Sequence, residues 1–98
     1  MTVRNFVADA VEDGLLISGT LTIAAHPTVT VANVPADVKP GTEIVIAEAT
    51  EYAGTENLAD LTAFGDVVDR GDFKVSVRIR KGKLTAKLVP FGMMLLVR

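Results

Sequence analysis

The sequence predicts a small all-β domain, an antiparallel sandwich or roll of about seven strands, and three observations carry that expectation. Turn formers recur at short intervals: Asp13-Gly14, His26-Pro27, Val34-Pro35, Pro40-Gly41, Gly54, Gly65, Gly71-Asp72, Lys81-Gly82 and Pro90. Between them the apolar residues alternate with polar ones at the two-residue period of a half-buried strand. With four Phe, one Tyr and no Trp, the core has to be built from Val, Leu, Ile and Ala, and the β-branched members of that set favour strands. At 98 residues the chain supports one hydrophobic core, so residues 1–98 are read as a single domain.

The first clear strand starts after Gly14. Leu15, Ile17, Gly19, Leu21 and Ile23 share one face, and Ser18, Thr20 and Thr22 share the other. Val29 and Val31 repeat the alternation against Thr28 and Thr30, which predicts a second strand and a hairpin turning at His26-Pro27. Pro40-Gly41 suits the centre of a type II turn. In residues 43–49, Ile44 and Ile46 are apolar on one side and Val45 and Ala47 on the other, a strand covered on both faces.

Residues 51–72 are poor in strand signal. They allow at most one short helical turn, near 57–64, with Asn57 as its cap and Leu58, Leu61 and Phe64 in line. The cleanest alternation follows: Phe73, Val75, Val77 and Ile79 inward, Lys74, Ser76, Arg78 and Arg80 outward. It continues through Lys81-Gly82 into Leu84, Ala86 and Leu88 against Thr85 and Lys87. This is a tight hairpin in which Gly82 supplies the positive φ. Residues 91–98 form a last strand with both sides apolar, Phe91, Met93, Leu95 and Val97 opposite Met94 and Leu96, a strand central in its sheet or covered by another subunit.

Charge is distributed unevenly. Residues 1–72 hold all twelve acids and only Arg4, Lys39 and Arg70, a net −9; residues 73–98 hold seven bases and no acid, a net +7; the chain totals −2. Like charges on paired strands repel, so something negative belongs near the hairpin's basic face. Three sources fit: the chain's own Glu43, Glu48 and Glu51, the acidic surface of a second subunit, or an external anion. Overall acidity, and the lack of aromatics interleaved with the bases, argue against nucleic acid.

Nothing in the sequence assembles a catalytic or cofactor site. His26 is the sole histidine, there is no cysteine, and the nucleophile-elbow, P-loop and dinucleotide-turn spacings are missing. Asp66, Asp69 and Asp72 lack the alternate-residue spacing of a calcium loop and read as a solvated acidic turn. Arg70-Gly71-Asp72 spells an integrin-ligand tripeptide, yet Asp72 is placed to close a turn before Phe73. Residues 1–10 lack the apolar run of a signal peptide, and no stretch reaches membrane-spanning length. No catalytic, metal or cofactor residue is therefore assigned. The residues expected to bind a partner are Lys74, Arg78, Arg80, Lys83, Lys87, Phe91, Met94 and Leu96, and the partner is a protein, either a second copy or a neighbouring domain.

Several pieces also look like the C-terminal end of the β-helical passenger regions of autotransporter-like bacterial surface proteins. They are Ser18-Gly19-Thr20-Leu21-Thr22-Ile23, Thr28-Val29-Thr30-Val31, Pro40-Gly41 leading into Ile44-Val45-Ile46-Ala47-Glu48-Ala49, Gly71-Asp72-Phe73, and Gly82-Lys83-Leu84-Thr85. The resemblance implies a segment that caps a β-helix and stacks on preceding rungs, hence a scaffold, extracellular or at the cell surface; it adds no site residues. The expectation is a non-enzymatic structural or interaction module of a bacterial surface or secreted protein. The alternative is a small bacteriophage virion protein, a capsid decoration or tail component, assembled through complementary charged surfaces.

Overall fold

The computed structural model describes residues 1–12, 14–71 and 73–90. The chain order is β1 (Thr2–Asp9), β2 (Leu15–Ala32), β3 (Glu43–Ala53), a 3-10 turn (Thr55–Asp60), β4 (Thr62–Gly65), α1 (Asp66–Asp69), β5 (Phe73–Arg80) and β6 (Lys83–Pro90). All the strands belong to one mixed sheet, ordered β1-β2-β3-β6-β5, with β4 also on β2. The expected antiparallel sandwich is thereby corrected: β1, β3 and β4 all pair with β2 in parallel, and only β3–β6 and β5–β6 are antiparallel.

The parallel part comes from a bend in β2. Its first half pairs with β3, Leu15 opposite Ala47 and Thr22 opposite Ala53; its second half pairs with β4, Thr28 opposite Thr62 and Val31 opposite Gly65. β1 follows both halves, Val3 beside Ile23 and then Asn5 beside Thr28. Three passes of the chain thus stack in the same direction and form a parallel coil: β1, then β2, then β3 continued by β4. A flat parallel pair needs a crossover of about a dozen residues. Residues 10–14 suffice here because the bend folds the start of β2 back toward the end of β1, and Asp9 and Leu15 border the same cavity.

His26-Pro27 makes that bend and is no hairpin turn. His26 takes left-handed backbone (φ 52°), Pro27 is buried, and the apolar alternation resumes on the same face at Val29 and Val31. Where β1 spends only Arg4, β2 spends residues 24–27, and on its other side the 3-10 turn spans the gap between β3 and β4. Asn57, expected as a helix cap, lies inside that turn; its side-chain amide donates to the Ile23 carbonyl at 2.8 Å, satisfying a backbone group at the bend. Phe64, expected in line on a helix, is exposed on β4. Residues 51–72, expected to be strand-poor, hold the end of β3, this turn, β4 and α1.

The inward faces of the passes meet in one core. Phe6, Val29 and Ala63 form one stack, and Ala8, Val31 and Gly65 the next. Ile17, Leu21, Ile23, Ile44 and Ile46 line the other half, and Val67 of α1 is fully buried in the same core. The β5–β6 hairpin extends the sheet from β3, with Leu84, Ala86 and Leu88 fully buried. Its turn matches the sequence reading: Lys81 (φ 53°) and Gly82 (φ 79°) are both left-handed and Arg80 faces Lys83, the geometry of a two-residue type I′ loop. Pro40-Gly41 also behaves as read, with Gly41 at φ 86° and the Thr42 N–H donating to the Lys39 carbonyl. The expected strand 91–98 lies outside the described residues. No helix among the described residues is long and apolar enough to cross a membrane.

Candidate functional site

The basic hairpin face satisfies part of its own charge. Arg78 and Arg80 both reach Glu43, at 3.0 and 2.9 Å, one guanidinium on each carboxylate oxygen. Glu43 is on β3 and the arginines on β5, so both side chains cross β6, where Thr85 is buried. The Arg78 hydrogen bond, reinforced by the charges of Arg80 and Lys87, holds the Glu43 carboxyl below its ordinary value. Lys87 faces Glu43 across the β3–β6 ladder and Lys83 faces Glu48. Lys74, Lys83 and Lys87 make no ion pair within 4.0 Å among the described residues. Phe91, Met94 and Leu96 lie outside the described residues, so the eight expected partner residues come together only as the five on β5 and β6.

Tyr52 ties the hairpin tip to the coil. Its hydroxyl donates to the Gly82 carbonyl at 2.7 Å and accepts the Ala49 N–H at 3.2 Å. Burial pushes this phenol above its ordinary pKa.

A cavity of about 790 Å³ opens where Ala10, Glu12 and Gly14 and the loop 33–42 meet the start of β3. Asp9, Glu12, Asp37 and Glu48 line it together with Lys39 and Lys83, so acids and bases are interspersed. Among the described residues no three His, Cys, Asp or Glu side chains gather as metal ligands. His26 is exposed at the β2 bend and borders neither this cavity nor the next. Of the integrin-type tripeptide, Arg70 and Gly71 follow α1 in a turn; Asp72 is outside the described residues.

A second cavity, about 300 Å³, lies at the β1 end of the coil, bordered by Val3, Phe6, Val7, Leu15, Val45 and Ile46 together with Asn5, Asp9 and Glu12. Beside it runs the β1 edge, which no strand among the described residues pairs. The Ala10 N–H donates to the Ala32 carbonyl, so by alternation Phe6 and Ala8 turn their peptide groups to β2, while Asn5, Val7 and Asp9 turn theirs outward. Val7 is 57% exposed there. The other edge of the described sheet, β5, differs: Lys74, Arg78 and Arg80 alternate along it, and such cations discourage strand addition. Residues 5–8 carry no charge. Sequence reasoning passes over this edge, although the alternation of Phe6 and Ala8 with Asn5 and Val7 signals a strand.

Compared with protein-family models, curated proteins and solved structures, the chain matches none.

Proposed function

We propose that this chain is a non-enzymatic structural module that assembles with a protein partner by accepting a strand at its β1 edge. The carrying observation is the β1 edge, uncharged over residues 5–8 and with outward peptide groups at Asn5, Val7 and Asp9, lying beside a hollow lined mostly by apolar residues. Unpaired strand edges and uncovered apolar surface are both liabilities that one added strand removes together. A stacking role of this kind suits the surface or secreted setting implied by the resemblance to β-helical passenger ends. The charge-guided virion alternative draws less support, since Arg78 and Arg80 already share Glu43 within the chain.

Residue-resolved hydrogen exchange tests the reading, on the chain alone over a range of concentrations and mixed with polypeptides encoded beside it. Amides of Asn5, Val7 and Asp9 should exchange freely in dilute protein and become protected on association. If they exchange freely in every mixture, while other surfaces gain protection, the β1 edge is not where assembly occurs.

A further inference from the structure

We infer that the strand received at β1 is the β1 of a second copy of this chain, paired antiparallel across a two-fold axis at Val7. This rests on the assembly reading above and adds the partner and the register.

In an antiparallel pair, directly opposed residues share a face, so the inward Phe6 and Ala8 must meet inward residues and the outward Asn5, Val7 and Asp9 must meet outward ones. Centring the axis on Val7 does this. Val7 faces its own copy, Phe6 faces Ala8 of the other chain, and Asn5 faces Asp9. The peptide groups agree, because Asn5, Val7 and Asp9 are the residues whose N–H and C=O point away from β2, and each opposed pair exchanges both bonds. Side chains fit as well: a large residue opposes a small one, an amide donor opposes a carboxylate, and the exposed Val7 is covered by its counterpart.

Charge selects this edge over the other. A two-fold pairing of β5 centred on Ser76 would set Lys74 against Arg78 of the other copy, whereas residues 5–8 bring no charge together. Pairing β1 of one copy with β5 of the next would leave a free edge at each end and propagate into open chains; the β1–β1 contact closes after two copies.

Light scattering on the full chain from micromolar to millimolar protein should approach twice the 10.4 kDa mass of one chain. Val7→Lys sets two ammonium groups against each other at the axis and should weaken association about tenfold or more. In dilute protein, where both are single chains, its melting temperature should stay near wild type, since Val7 is exposed there. Val7→Thr keeps a strand-forming side chain and should keep the dimer. The chain has no cysteine, so a short thiol cross-linker should join Val7→Cys chains in pairs and leave Asn5→Cys chains, whose thiols lie apart across the axis, largely unjoined. A dimer undiminished in Val7→Lys, or a wild type that stays monomeric to millimolar concentration, overturns the inference. If that monomer's β1 amides gain protection when another polypeptide is added, the assembly reading stands and only the second-copy occupant is wrong.

Discussion

Two glycines hold the passes of the coil at their spacing. A Cβ on Gly54 would lie 2.3 Å from the Ile23 carbonyl oxygen, and one on Gly65 would lie 2.1 Å from that of Val31; both residues also hold a positive φ, 70° and 118°, that side chains rarely adopt. The obstructing atoms are backbone of the neighbouring strand, which cannot turn aside as a side-chain tip can. Gly54→Ala or Gly65→Ala should therefore cost about 2–4 kcal/mol, read as a lowered melting temperature. Gly41→Ala is the comparison: its φ is 86° but nothing lies within 4 Å of the added carbon, so only the backbone cost of about 1 kcal/mol applies. Equal losses at all three positions would show that close approach between strands plays no part. His26 takes the same left-handed backbone in the wild type, at φ 52° with an exposed side chain.

At the scale of elements, the β5–β6 hairpin is held by its turn and by Tyr52. A type I′ turn favours Asn over Lys at its first central position, because Asn tolerates left-handed backbone. Lys81→Asn should raise stability by about 0.5–1 kcal/mol in denaturant titration, and an unchanged midpoint would mean that the turn contributes no strain. Tyr52→Phe removes the donor to Gly82 and the acceptor for Ala49 and should cost about 1–2 kcal/mol. This hairpin was legible in the sequence because its signals are local: two period-2 runs and a two-residue turn between them. The parallel coil was not, since a bend and a reverse turn look alike as His26-Pro27, and the choice depends on whether β1 and β4 lie beside the second half of β2. The β4 strand, Thr62–Gly65, is too short for its own period to register, and it forms because Thr28 and Val31 present a parallel ladder to it. The five basic candidates on β5 and β6 were legible as one face, but that Arg78 and Arg80 spend their charge on Glu43 follows from sheet order, which places β6 between them.

For the whole molecule, β3 is the strand shared by the parallel coil and the antiparallel hairpin, and Glu43 at its start gathers the charge of both arginines on β5. The carboxyl is held below its ordinary value of 4.5, chiefly by the Arg78 hydrogen bond, so the folded chain binds this proton less readily than the unfolded chain does. Stability from this source is therefore fully present above about pH 4.5 and is lost as pH falls from there through the lowered folded value. Glu43→Gln keeps the shape and removes the titration. Urea midpoints measured from pH 6 to pH 3 should fall for both proteins, with a shallower slope for Glu43→Gln because one proton-linked contribution is gone. The pair is partly solvent-exposed, so added salt should narrow the difference between the two curves. Parallel curves at low salt would mean that Glu43 is not the carboxylate through which acid loosens the hairpin from the coil.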